Sequence, residues 1–561
     1  MEKKKVKLFS AIALVALALL VVGATYAYFQ NQYGSASNAD VKVTTYTTDV
    51  LTFETGSNIS ITAGQDDFAS GKGNKIGQTF ARATLHANNK TNTATANYYM
   101  YLNIETNTFT YTNTGTPELI LQVVDKTSGN PVTSITGLDY VTVTDGKNTS
   151  ISGFDITTKK GLIALFSNKE ISASPKTIEE YTVSITFINH NYDQNINTGK
   201  TFNSKVIIQK ERLITSVSDV AKSGDNLVTA IQNLSTKSKP SYTGLYHHDA
   251  SLTNGAGDNS YRFAGVNPNN YVCFGSDDAT CPTENLYRII GVIDGKVKLI
   301  HAYGATTTML GTDEGYVNTY QEAVSNNLEL GQSFYKGKED FTKIGTYKWN
   351  KTRDNTWSTS TTNTTNLNTN FLAYLDGKNT KWKNMIADTT WYVGGMTSTN
   401  GALSNAKTAY NYELGANKDT TTKVTSKIGL MYVSEYYYGA TPDYWMLPGI
   451  GQNGHPNEDG TAWIGNDYSK AYNDNWMNTG LNEWTISRTS DDSDIAFDVN
   501  VYGLVYVDFV DGSDGRGLVA RPSFSLSSSI KFTSGEGTAV NPIRIKLWLV
   551  MQAWRMQIFN L

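Results

Sequence analysis

Cysteine is nearly absent. Cys273 and Cys281 are the only two in 561 residues, which excludes a disulfide-dense scaffold. Proline is scarce, at 11, and glycine ordinary, at 47, so collagen-like and proline-rich disordered chains are excluded too. Charge is low at 17% and nearly balanced, 47 Lys+Arg against 51 Asp+Glu, so no nucleic-acid partner is expected. Tryptophan is missing from the first 348 residues. The six histidines form no His-Glu-x-x-His pair, and no Gly-x-Ser-x-Gly elbow or phosphate-cradling glycine motif occurs. With no catalytic motif, the expectation is a protein without enzymatic activity and without a cofactor.

What fills the chain is Thr, Asn, Ser and 34 Tyr. β-branched and aromatic residues among many turn formers predict a mostly β or α+β protein. The length suggests about three to four domains.

The N-terminus has the layout of a secretory signal peptide. Lys3, Lys4, Lys5 and Lys7 precede the apolar run Leu8 to Gly23, and Ala27 is a small residue at a cleavage point. Removing 1–27 would lower the formal charge from −4 to −7, so a membrane partner is expected only during export. Gly23-Ala24-Thr25-Tyr26-Ala27-Tyr28-Phe29 resembles the signal end of camelysin-type and biofilm-matrix fibre proteins of Gram-positive bacteria. That resemblance implies cutting between Ala27 and Tyr28 by a W-type signal peptidase.

Residues 28–211 read as an antiparallel β-sandwich. Tyr98 to Ile104, Leu119 to Val124, Tyr181 to Phe187 and Lys205 to Ile208 are β-rich, and Asp125 to Pro131 is a turn cluster. The segment resembles the matrix-fibre sandwich, which implies self-assembly as an alternative role. In 212–239, Leu227, Ala230, Ile231 and Leu234 share one helical face, with Asp225 as the expected N-cap. Lys237-Ser238-Lys239-Pro240 ends it. A short helical linker between two domains is predicted, with a helix packed onto either neighbour as the alternative.

All ten Trp lie at or after Trp349, so residues 240–546 form a separate, Trp-rich α+β domain. Asp294-Gly295 between two β runs predicts a hairpin, and Phe371 to Leu375 and Trp382 to Ile386 read as helices. LYRIIGV at Leu286–Val292, NTW at Asn355–Trp357, LNTNFL at Leu367–Leu372, TWYVGG at Thr390–Gly395, KIGLMYVSEY at Lys427–Tyr436, EWTIS at Glu483–Ser487 and VARPSFSL at Val519–Leu526 resemble a surface-protein domain of gut Gram-positive bacteria. Through Trp445-Met446-Leu447-Pro448 and Gly517 to Pro522 that domain is similar to the C-type-lectin-like and formylglycine-generating-enzyme fold. The tail 547–561 has eleven apolar residues in fifteen, too few to span a bilayer as a helix.

Four features could carry chemistry. His247-His248-Asp249 is the densest histidine cluster, but neighbours on a strand point to opposite faces, and a surface turn is expected. Asp491, Asp492, Asp494, Asp498, Asp508, Asp511 and Asp514 could offer oxygens to calcium, but no EF-hand spacing or calcium-lectin signature is present, and solvated turns are expected. Cys273 and Cys281 are expected to form a local disulfide in an exported protein. Trp445, Trp463, Trp476 and Trp484 are the candidate ligand platform, since exposed rings stack on sugars while buried ones fill a core. Together these readings predict a secreted or cell-surface adhesion protein that binds a glycan or protein ligand. The alternatives are a biofilm-matrix fibre subunit and an extracellular hydrolase.

Overall fold

The computed structural model describes residues 49–547, apart from 65–66, 68–71, 89–92, 114, 332–334, 338–340, 447–454, 457–462 and 465–473; for 341, 401–403, 455–456 and 463–464 only the backbone is described. Ala27, Tyr28, the expected signal segment and the tail beyond Leu547 lie outside these residues. The chain is mostly β with several antiparallel sheets. It divides into two compact units between Leu213 and Ile214.

The first unit has ten strands: β1 (Val50–Thr55), β2 (Ile59–Thr62), β3 (Lys75–His86), β4 (Ala94–Asn107), β5 (Leu119–Asp125), β6 (Tyr140–Thr144), β7 (Ser150–Asp155), β8 (Gly161–Ala173), β9 (Lys176–Phe187) and β10 (Thr201–Gln209). They form a six-stranded sheet, β1-β3-β9-β5-β7-β6, and a four-stranded sheet, β2-β10-β4-β8, paired antiparallel throughout. Period-two alternation sends one side of each strand inward. Ala81, Ala83, Leu121, Val183 and Ile185 of one sheet meet Ile61, Met100, Leu102, Val206 and Ile208 of the other in a single core, as two packed sheets require. The turn after β5 is closed by Asp125, whose Oδ1 accepts from Thr127 N (2.8 Å) and Ser128 N (3.1 Å).

In the second unit, Leu286–Ile293 and Lys296–His301 form the expected hairpin. Asp294 and Gly295 both have positive φ, 49° and 68°, as a two-residue turn of this kind demands. The hairpin belongs to a six-stranded sheet with Leu245–His248, Ser260–Phe263, Tyr271–Cys273 and Ser523–Ser525. A second six-stranded sheet runs Tyr316–Thr319, Gly345–Tyr347, Leu518–Val519, Glu483–Arg488, Ile495–Val499 and Val505–Phe509. Short helices join them, including Leu372–Lys378, Thr380–Asn384 and Val433–Gly439. Cys273 is bonded to Cys281. Its strand pairs with Leu286, so the bridge pins the loop that enters the hairpin.

The linker expectation needs correcting. The helix exists, as Leu227–Lys237, but Asn226 caps it by accepting from Thr229 N at 3.2 Å. Leu227, Ala230, Ile231 and Leu234 are fully buried in the core of the second unit. Its apolar face is broad enough to dock, so it is a structural element of that unit.

The boundary therefore moves towards Lys210-Glu211-Arg212, which are exposed. Brief trypsin treatment should cut there first, and the larger fragment should keep every Trp. Its fluorescence-detected unfolding midpoint should stay within about 2 °C of the intact chain's, less than a 1 kcal/mol change would give. First cuts inside 240–300, or a larger shift, would contradict two self-contained units.

Candidate functional site

The expected Trp platform is not formed by the residues that can be placed. Trp445, Trp476 and Trp484 are 1%, 6% and 2% exposed. Each indole N–H donates to a backbone carbonyl: Trp445 to Ala440 O at 3.0 Å, Trp476 to Phe263 O at 2.8 Å and Trp484 to Tyr347 O at 2.7 Å. Buried rings with satisfied N–H groups are core members, so these three are withdrawn as a solvent-facing platform. Trp463 sits on the Trp463–Ile464 strand, and its side chain lies outside the described residues. The histidine pair is a strand, not a surface turn. His247 stacks on Tyr261 (centroids 4.2 Å apart), while His248 is buried and its Nδ1 accepts from Ala256 N at 3.1 Å.

Exposed aromatic surface appears elsewhere. Leu330, Tyr506 and Phe509 are 39%, 56% and 38% exposed. All three line one groove of about 760 Å³, together with Glu329, Asp498, Asp508 and Arg516. That volume lies in the range of small-ligand sites.

The groove's acidic floor comes from strand pairing. Ile495–Val499 and Val505–Phe509 are antiparallel, with Ala496 opposite Asp508 and Asp498 opposite Tyr506. Residues opposite each other, and those two apart, share a face, so Asp498, Tyr506 and Asp508 share one. The expectation of solvated turns therefore fails for Asp498, which is 4% exposed. Burial, reinforced by repulsion from Asp508 and Glu329, holds its carboxyl well above the usual range. Its Oδ1 has no hydrogen-bond partner among the described residues.

Glu329 arrives from another part of the chain. The Tyr320–Ser325 helix starts with a capping box between Thr319 and Glu322. Asn327 then turns the chain at φ 58°, and Glu329 is left 8% exposed. Its Oε2 accepts from Tyr320 OH (3.3 Å) and Asn482 Nδ2, while Oε1 has no partner among the described residues. Burial pushes this carboxyl up to about 7. Asn482 also accepts from Val501 N at 2.8 Å, which ties Glu329 to the turn joining the two acidic strands. Among the described residues Arg516 is the one cation lining the groove. It lies 3.8 Å from Asp508 and 3.4 Å from Asp514.

The remaining acids are occupied locally. Asp491 accepts from Ser398 N at 2.8 Å and from its hydroxyl at 3.0 Å, and Asp494 pairs with Arg353 at 2.6 Å. Among the described residues no three His, Cys, Asp or Glu side chains meet as metal ligands. The groove thus offers unpartnered carboxyl oxygens, one ion-paired arginine and an apolar lip. Asp498 and Asp508 were already among the candidate acids, and Tyr506 could have been found beside them from the alternation in Val505-Tyr506-Val507-Asp508-Phe509. Glu329 carries no local signal.

No family model matches the chain, no curated protein matches it, and no solved structure matches it.

Proposed function

We propose that the chain is an exported surface protein whose Trp-rich unit binds a glycan in the Glu329–Asp498–Asp508 groove. The carrying observation is the combination of unpartnered buried carboxyl oxygens with an exposed Tyr506–Phe509 lip in one groove. A sugar has both complementary parts: hydroxyls that hydrogen-bond with carboxyl groups, and an apolar C–H face that lies on an aromatic ring. Because Arg516 is already paired with Asp508 and Asp514, it is not left to neutralise an acidic sugar, and neutral or amino sugars suit the groove. Export is supported by the signal-like N-terminus and by the Cys273–Cys281 disulfide. Among the described residues no helix is long and apolar enough to cross a membrane.

A glycan array probed with the chain should show binding to neutral or amino glycans. Tyr506→Ala should weaken it roughly tenfold, the equivalent of ~1.4 kcal/mol. An array without binders, or a Tyr506→Ala protein that binds unchanged, would defeat the reading.

One observation favours a hydrolase as the second reading. Glu329 keeps its proton up to about pH 7, as a general acid needs, and Asp508 lines the same groove. Glu329 would protonate the leaving glycosidic oxygen while Asp508 takes a proton from the attacking water. Release of reducing sugar from an array hit, abolished by Glu329→Gln, would establish it; an intact hit leaves binding alone.

A further inference from the structure

Four basic side chains are buried among the described residues: Arg262, Arg288, Lys298 and Arg521. Three have a carboxylate. Arg262 pairs with Asp258 at 2.8 Å, Lys298 with Glu435 at 2.6 Å, and Arg521 with Glu483 at 2.5 Å. Arg288 has none. Its Nε donates to Asn270 Oδ1 at 2.7 Å, and Nη2 to Asn267 Oδ1 at 3.3 Å and Pro268 O at 3.1 Å. Nη1 donates to Trp476 O at 3.4 Å. These are four neutral acceptors for five N–H groups.

The guanidinium lies between two rings, 4.3 Å from the Tyr271 centroid and 4.5 Å from Trp476. Ring faces attract a cation but bring no counter-charge. A buried charge without a partner costs several kcal/mol, and the other three sites avoid that cost. Arg288 also opens on a cavity of about 230 Å³ that includes Lys336, Asn478 and Thr479 in its wall. At ~30 Å³ per water, that is room for about seven waters. Asn478 is buried and its Nδ2 has no partner among the described residues. Lys336 is exposed as a residue, but its ammonium is withdrawn from water, which pushes it down to about 7 against the field of Asp474, and its backbone N–H donates to Thr479 O at 2.8 Å. Among the described residues the cavity therefore holds one uncompensated positive charge.

We propose that this cavity is a binding site for the carboxylate of a small acidic ligand, of the size of an acidic monosaccharide. The anion supplies the charge that Arg288 lacks and accepts its fifth N–H, with Lys336 closing over it. The site is lined by other residues than the Glu329 groove and stands independently of it. A single negative charge matches the single deficit, so carboxylates should bind in preference to phosphate.

The test is a thermal-shift titration of the full chain at constant ionic strength, with sodium glucuronate, sodium phosphate and glucose as probes. Glucuronate should raise the tryptophan-reported midpoint saturably, and phosphate and glucose should not. Lys336→Glu, at an exposed residue, should keep the fold and weaken glucuronate at least tenfold. Arg288→Met should abolish the shift, or fail to fold, in which case Lys336→Glu decides. Tyr506→Ala should leave the shift intact. No saturable shift, an equal response to phosphate, or an unaltered Lys336→Glu titration would overturn the proposal.

Discussion

Replacing Arg521 by Met should lower the unfolding midpoint of the tryptophan-containing unit by about 10 °C. Arg521 and Glu483 are 2% and 1% exposed. Nε lies 2.5 Å and Nη2 2.7 Å from the two carboxylate oxygens. Nη2 also donates to Met477 O at 2.7 Å, and Nη1 to His301 O at 3.4 Å. Removing one member strands the other charge and its acceptors in the core. Such breaks cost about 3–5 kcal/mol, and each kcal/mol moves a large domain's midpoint by roughly 2–4 °C. The double variant Arg521→Met with Glu483→Leu should recover much of the loss, because no charge is then left buried. Differential scanning fluorimetry checks both, and a single variant that melts within about 2 °C of the parent would refute the assignment.

The second large effect is a pH dependence centred on Glu329. Its folded carboxyl is pushed from 4.5 to about 7 by burial. A raised carboxyl means that the folded state holds the proton more tightly. Its contribution is complete below pH 4.5 and is lost as pH rises through 7. The full loss is about 3 kcal/mol. His248 and His301, lowered by burial, work in the opposite direction, so the parent's own curve mixes the two. In the difference between parent and Glu329→Gln the histidines and Glu413, itself raised to about 7, cancel, leaving the Glu329 carboxyl with its coupling to Asp498. Between pH 4.5 and 8 the variant should gain about 3 kcal/mol relative to the parent, read as a midpoint difference growing by at least about 6 °C. A difference that stays constant over that range would mean Glu329 is ionised in the folded protein.

Both effects rest on pairings between distant parts of the chain, and that is where sequence reading stops. The sandwich was legible because alternation such as Tyr181 to Phe187 decides which face is buried, and each strand carries that information itself. The Asp294-Gly295 hairpin was legible because the turn conformation is local. The helix at Leu227 was legible by period, but its role was not: an apolar stripe says that something covers it, not what. Trp445, Trp476 and Trp484 show the same limit. Each ring's exposure is decided by partners up to 213 residues away, as with Trp476 and Phe263. The acids before the terminal strands were visible as a cluster, yet only the register of Ile495–Val499 against Val505–Phe509 separates Asp498 and Asp508 from the acids that serve as caps. Glu329 depends on Asn482, 153 residues away. EWTIS and VARPSFSL were noticed as motifs, and their shared purpose appears only when Glu483 meets Arg521.

The glycan site is tested most directly by hydrogen–deuterium exchange of the full chain with and without the strongest array hit. Slowed exchange should be confined to Asn327–Leu330 and Ile495–Arg516, the two segments that build the groove. Protection centred on other segments of the Trp-rich unit, or on the sandwich, with these two unchanged, would contradict the account.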